Sequence, residues 1–375
     1  MKHVHADIVH DIGPNGVALL TLNRPQALNA LTLPMIRAMT ELLLAWRDDP
    51  QVHAVALRGN SKQGPFGAFC AGGDIRFLHY ACVAGDPALE DFFTEEYTLD
   101  HLLFTYPKPV LAFMDGVVMG GGMGISQGAA CRIVTERTKM AMPETNIGLF
   151  PDVCGGYFLS RCPGHVGEYL ALTGVTIGAQ QALAYGLADA IAPVEALPLA
   201  WQAVQGFEAN SPQAFALAWG QWVARAGWQQ QAEPGATLLS PEVESAFGQG
   251  TVLEIVQVLR QADTEAARQA LAVLHARSPL MLNVTLEQIR RARALDYSAE
   301  LRMERGMMRH CFHAPHLQRY GQALEAVEGI RALAVDKDQR PRWQPQRVED
   351  VTPDMVAPFF DSPWPEHAHP LRHLA

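Results

Sequence analysis

Two carboxylates stand eight residues apart, in Met142-Pro143-Glu144-Thr145 and Leu149-Phe150-Pro151-Asp152. Proline and glycine between them exclude one continuous helix, so both side chains are expected to project from a turn at the edge of a core. Paired carboxyls can share a proton, or divide acid and base roles where their surroundings push their pKa values apart. The plain alternatives are a solvated loop position for Glu144 and an N-cap role for Asp152, heading a helix over 153–160. Two glycine-rich turns offer a complementary chemistry: Phe69-Cys70-Ala71-Gly72-Gly73-Asp74 and Gly120-Gly121-Gly122-Met123-Gly124. Glycines there let the main chain approach a ligand and leave N–H groups free where a helix begins. A pair of such N–H groups suits a thioester, whose carbonyl oxygen becomes an oxyanion during attack. Each fixed donor is worth a few kcal/mol, about 10²–10³ in rate. Taken singly, either turn is better explained by packing of a helix against a strand, since glycine-rich turns are common. Asp74 reads mainly as an N-cap for the helix after it.

Neither turn fits the dinucleotide fingerprint or the phosphate-binding loop. Gly124-Ile125-Ser126-Gln127-Gly128 formally matches G-x-S-x-G. In a serine hydrolase that serine follows a strand directly on a tight turn. Here the nearest strand ends at Met114 and the pentapeptide falls within a helix, so Ser126 reads as a small packing residue. His310, His313 and His316 recur every three residues, a spacing that drifts around a helix, and Pro315 breaks that helix. No C-x-x-C or H-E-x-x-H run occurs, so no metal is expected.

The elements that must position these residues are legible in outline. Residues 17–22 (VALLTL), 52–58 (VHAVALR) and 109–114 (PVLAFM) read as short buried strands, with two more near 131–135 and 139–142. Thr32 caps a helix in which Met35, Ile36, Met39, Leu42, Leu43 and Trp46 recur at the helical period. Strands alternating with helices place the chain in the α/β class, with crossover connections. After about residue 195 the pattern turns helical, with runs at 251–275, 280–295, 297–312 and 316–332. Leu282, Val284, Leu286 and Ile289 form an apolar stripe. Residues 226–250 read as a long polar surface connection, and the tail from Arg340 as a proline-rich wrap. The domain reading is a catalytic core over 1–200 and a mainly helical region over 201–375 that completes the fold.

The 375 residues are 49% hydrophobic and 18% charged, ordinary for a globular protein large enough to bury a core without disulfides. A net charge of −10 argues against broad binding to nucleic acid or anionic lipid. A small polyanion held by main-chain N–H groups stays compatible with it. The start lacks an apolar signal core and no apolar run approaches the ~20 residues of a membrane span, so a cytoplasmic location is expected.

FCAGGDI (69–75), MGGGMGIS (119–126), AMPETNIGLFPDVCGGYFL (141–159) and LALTG (170–174) resemble the 3-hydroxyisobutyryl-CoA hydrolase branch of the enoyl-CoA hydratase/isomerase, or crotonase, superfamily. NRPQALNAL (23–31), EEY (95–97) and DKDQRPRW (336–343) extend the likeness over nearly the whole chain. The resemblance implies a spiral of ββα units that binds coenzyme A in a bent form, followed by a helical C-terminal region. It implies an oxyanion hole from the amides of Ala71 and Gly121. It assigns substrate contacts to Gly72, Gly73 and Asp74, to Ala27 and Leu28, and to Glu96. Glu144 matches the principal catalytic carboxylate, and Asp152 a second one found in the hydrolase branch. No separate cofactor is implied, coenzyme A being part of the substrate. The only implied partner is a small acyl-CoA; homo-oligomers occur in the family.

One departure bears on subtype. Hydratases of this superfamily carry a glutamate four residues after the first glycine of the GGG run, and here that position is Gly124. Loss of a general acid or base costs about 10²–10⁴ in rate, so hydrolysis is favoured over hydration. The implied substrate is 3-hydroxyisobutyryl-CoA, an intermediate of valine breakdown. Enoyl-CoA hydratase or isomerase activity is the alternative, and a non-catalytic CoA-binding protein an alternative of another class.

Overall fold

The computed structural model describes residues 5–236 and 239–374. The chain forms two compact units, each assembled from three stretches. One comprises residues 1–73, 99–140 and 176–236; the other comprises 74–98, 141–175 and 237–375.

The first unit is built on a sheet. Its strands are β1 (Ile8–Ile12), β2 (Val17–Leu22), β3 (Ala54–Ser61), β4 (Gly64–Pro65), β5 (Val110–Met114), β6 (Val117–Met119), β7 (Cys131–Val134), β8 (Lys139–Ala141, whose last residue belongs to the other unit) and β9 (Ala190–Ile191). The main sheet runs β1-β2-β3-β5-β7-β9, with β4 on β3, while β6 and β8 form a separate pair. β2, β3, β5, β7 and β9 are mutually parallel; β1 is antiparallel to β2. In register, Val17 faces Ala54, Val55 faces Val110 and Leu111 faces Cys131. β2 and β5 are buried throughout, which is why they read as unbroken apolar runs rather than as alternation. Alternate residues Val17 and Leu19, Ala54 and Ala56, and Leu111 and Phe113 point to one face. There they pack on Trp201, Phe215, Trp219 and Trp228. The α/β class is as expected. β1 is an additional strand; four of its five residues are exposed, so it has little apolar signature to find.

The second unit is helical; the run expected over 251–275 is split into two helices, and four successive helices are capped by side chains. Thr251, Thr264, Ser278 and Asp296 accept from the amides of Glu254, Ala267, Met281 and Ala299. They head helices Val252–Ala262, Glu265–Ala276, Pro279–Ala292 and Tyr297–Phe312. Each such cap contributes about 1 kcal/mol. The stripe Leu282, Val284, Leu286 and Ile289 is buried. The connection expected over 226–250 holds a helix, Pro241–Phe247, with Pro241 in its first turn. Proline there starts a helix rather than breaking one. The run expected over 316–332 is cut into 3-10 turns at 315–317 and 321–323 and a helix at Glu325–Ile330. Among the described residues no helix is long and apolar enough to cross a membrane.

Candidate active site

The first unit holds Ala27, Leu28, Ala71, Gly72, Gly73 and Gly121; the second holds Asp74, Glu96, Glu144 and Asp152. In the first unit the two glycine turns are laced together by the main chain. Cys70 N–H donates to Val117 O (2.9 Å), and Met119 N–H donates back to Cys70 O (3.0 Å). A Cβ on Gly122 would lie 2.3 Å from Cys70 O, and one on Gly72 would lie 3.2 Å from Met119 O. The chains approach this closely only because those positions are glycine. Gly121 opens helix Gly121–Gln127, at a position whose N–H has no acceptor within the helix. Ala71 is different: its N–H donates to Leu28 O at 3.0 Å. Leu28 and Asn29 are both left-handed (φ 50° and 57°), which turns the Leu28 carbonyl toward that amide.

Asn29 escaped the reading of the sequence, although it lies in the NRPQALNAL run. Its buried Nδ2 donates to Asn60 O, Ala68 O and Phe69 O at 2.9, 2.9 and 3.1 Å, fixing the chain that enters the Ala71 turn. Asp115 does similar work from the other side. It accepts from Gly67 N–H and from the Thr135 hydroxyl at 2.6 Å each, and it pairs with Arg137. Ser126 is fully buried, and its hydroxyl donates to Gly122 O (2.7 Å) within the helix, as expected of a packing residue.

In the second unit Glu144 is the first residue of a 3-10 turn, Glu144–Ile147, entered from Pro143. The turn is pinned by Thr145, whose hydroxyl donates to Leu172 O (3.1 Å), and by Gly174, where a Cβ would meet the Pro143 backbone at 2.9 Å. This is the role of the LALTG segment. Glu144 is only 6% exposed, and its Oε2 meets no hydrogen-bond partner among the described residues. Burial, then the nearby Asp152 charge, push its pKa well above the usual carboxylate range. Asp152 is also buried, and burial raises its pKa to about 7 although the Tyr97 hydroxyl donates to Oδ2 (2.9 Å) and favours the anion. The two carboxyls therefore sense each other, as their spacing suggested.

The capping alternatives resolve in opposite ways. Asp74 does cap helix Ile75–Ala84, accepting from Phe77 N–H at 3.3 Å. Asp152 does not: the helix begins at Gly155 and its N-cap is Cys154, whose side chain makes no cap hydrogen bond. Glu96 is buried one residue before Tyr97 in helix Ala88–Phe104, and its charge raises the Tyr97 phenol further. Tyr97, Gln288, Glu300 and Glu304 are the acidic-region residues that the sequence did not single out.

The sequence model of the enoyl-CoA hydratase/isomerase family matches residues 17–360. The mitochondrial 3-hydroxyisobutyryl-CoA hydrolase of Gallus gallus is 35% identical over 359 residues, 95% of this chain and 90% of that protein. 3-Hydroxyisobutyryl-CoA hydrolase 1 of Arabidopsis thaliana is 36% identical over 352 residues, 92% of this chain and 89% of that protein. Among solved structures, a carnitinyl-CoA dehydratase from Mycobacterium thermoresistibile superposes with a TM-score of 0.84 at 35% identity, covering 95% of this chain and 97% of its own. An enoyl-CoA hydratase from Rhodobacter sphaeroides gives 0.79 at 34%, with the same coverage.

Proposed function

The chain belongs to the enoyl-CoA hydratase/isomerase family, in its 3-hydroxyisobutyryl-CoA hydrolase branch, and from that premise we propose that it hydrolyses the thioester of a short 3-hydroxyacyl-CoA. 3-Hydroxyisobutyryl-CoA, giving 3-hydroxyisobutyrate and coenzyme A in valine breakdown, is the substrate the relatives' names support. The observation that carries the reading is a buried Glu144 carboxyl with one unpartnered oxygen, electrostatically coupled to a second raised carboxyl at Asp152. A carboxyl whose pKa is raised in this way is, once ionised, a stronger base toward water than an ordinary carboxylate.

In the proposed reaction the thioester oxygen is received by the amide of Gly121 and by that of Ala71, the latter giving up its bond to Leu28 O. Glu144 either removes a proton from the attacking water or attacks the carbonyl itself to form a mixed anhydride that water then opens. Asp152 orients the substrate hydroxyl or the water, and the C–S bond breaks to release coenzyme A as thiolate. Ala27, Leu28, Gly72, Gly73 and Asp74 are assigned to the coenzyme A arm, and Glu96 to the acyl end. No separate cofactor takes part. A homo-oligomer and a cytoplasmic location are part of the same proposal; sedimentation and cell fractionation test them.

Two solved relatives bear the names of a dehydratase and a hydratase, so hydration is the reading to test against. Gly124 lies inside helix Gly121–Gln127, where it offers no acid or base. A free-thiol assay over several short acyl-CoAs, with crotonyl-CoA hydration followed in parallel, decides between them. Thiol release from 3-hydroxyisobutyryl-CoA with negligible crotonyl-CoA hydration is expected; the reverse pattern overturns the proposal. Single-turnover hydrolysis in ¹⁸O-water separates the two roles of Glu144, because only the anhydride route can leave label in its carboxylate.

A further inference from the structure

We propose that Glu304 is a positioning residue for Asp152, gripping the 151–156 turn as an anion while its neighbour Glu300 keeps a proton. The inference rests on the hydrolytic reading of Asp152. The turn itself demands a grip. Val153 and Cys154 are both left-handed, with φ of 51° and 63°. That conformation is strained for a non-glycine residue and rarest for a β-branched one. It persists only where the surroundings over-determine it.

Those surroundings come from helices Pro279–Ala292 and Tyr297–Phe312. Glu304 Oε2 accepts from Cys154 N–H at 2.7 Å, and Oε1 accepts from Gly156 N–H at 3.2 Å. Gln288 Nε2 donates both to Glu304 Oε1 (2.9 Å) and to Pro151 O (2.7 Å). The chain is therefore held immediately before Asp152 and again two residues beyond it. The Asp152 side chain takes no part in that grip and is left to the Tyr97 hydroxyl.

The charge state follows from the donors. Glu300 and Glu304 lie one helical turn apart, both fully buried, and no cation pairs with either among the described residues. Arg161 acts on Glu300 from further off, while Asp152 and Tyr97 face Glu304. Two adjacent buried carboxyls without a counter-ion do not both ionise. Both oxygens of Glu304 accept N–H groups, whereas neither buried oxygen of Glu300 meets a donor. Burial raises the Glu300 pKa to about 7, and burial with the Glu300 and Asp152 charges raises that of Glu304 well above the usual carboxylate range; against that pull, the two main-chain donors that only Glu304 receives assign the charge to Glu304 and the proton to Glu300. Gly156 completes the fit, since a Cβ there would lie 1.9 Å from Glu300 Oε1.

Isosteric variants test the assignment. Glu300→Gln imitates a protonated carboxyl and is expected to hold kcat within ~3-fold. Glu304→Gln turns an NH2 toward amides that need an acceptor. It is expected to lower kcat ~10²-fold, with KM within ~3-fold, as for a displaced catalytic group. In an Asp152→Asn background the same change should lower kcat by less than ~3-fold, because what it positions is already gone. Should Glu304→Gln not fold, Gln288→Leu removes the shared donor and is expected to cost ~10-fold in kcat, again only when Asp152 is present. Equal losses in both backgrounds, a Glu304→Gln enzyme of normal kcat, or a Glu300→Gln loss as large as that of Glu304→Gln would each overturn the proposal. An Asp152→Asn enzyme of normal kcat would instead sink the hydrolytic reading of Asp152 on which it rests.

Discussion

The glycine-turn region of the first unit and the acidic region of the second are built for opposite kinds of work. Around Ala71 and Gly121 the contacts are amide to carbonyl, and the essential side chain is often the missing one, as at Gly72 and Gly122. Around Glu144 and Asp152 the main chain is scaffold, and what matters is how many protons the buried carboxyls hold. A region of the first kind is damaged by atoms that take up space. A region of the second kind is damaged by a change of charge, and it answers to pH.

Several measurements sharpen or break this contrast. Glu144→Gln keeps the volume and removes the base; thiol release should fall about 10²–10⁴-fold with the thermal midpoint little changed, and a near-normal rate would remove Glu144 from the chemistry. Gly122→Ala adds one carbon 2.3 Å from Cys70 O. It is expected to cost about 10²-fold in kcat/KM without moving the pH profile; a shifted profile would erase the distinction between the regions. Tyr97→Phe removes the hydrogen bond that favours ionised Asp152. The ionisation assigned to Asp152 should then move to higher pH, visible in the pH dependence of kcat/KM or in the carboxyl chemical shift.

Stability carries the same signature. Asp152 and Glu300 each have a folded-state pKa of about 7, above their ordinary values of 3.8 and 4.5. Between those values and 7 the folded chain keeps protons that the unfolded chain has released. Stability contributed by these groups therefore falls as pH rises through that window and levels off above it. The slope is at most about 1.4 kcal/mol per pH unit for each group. Urea midpoints from pH 5 to 8 should decline, and Asp152→Asn should flatten the decline. The smallest effect expected is from Ser126→Ala, with activity within ~3-fold and no labelling of the native enzyme by a fluorophosphonate, since that hydroxyl only back-bonds within its helix.

What the sequence disclosed follows the range of the forces involved. Strand β2, the Thr32 cap and the helices after Ser278 and Asp296 depend on residues within a few positions of one another, and they stand close to where they were expected, while the run expected over 251–275 is broken at Asp263 into two helices. The helix at Pro241–Phe247 was hidden because its proline was read as a breaker. Fold class was legible from alternation, and its finer type and the site residues only through resemblance. Glu304, Gln288 and Glu300 were not legible at all. They meet the Asp152 turn from 137 to 150 positions further along the chain, and in sequence they are ordinary polar residues of amphipathic helices. Nothing local marks a glutamate as inward-facing.

If the Ala71 amide serves the reaction as proposed, its hydrogen bond to Leu28 has a consequence for selectivity between stages of the reaction. An amide carbonyl is a stronger acceptor than an uncharged thioester, so a resting substrate gains little by displacing Leu28. An oxygen that has become negative outbids any neutral carbonyl, because charge-assisted bonds are about twice as strong. A donor already engaged in this way withholds its help from the ground state and yields it at the barrier, which is the condition under which binding energy accelerates a reaction instead of merely retaining the substrate.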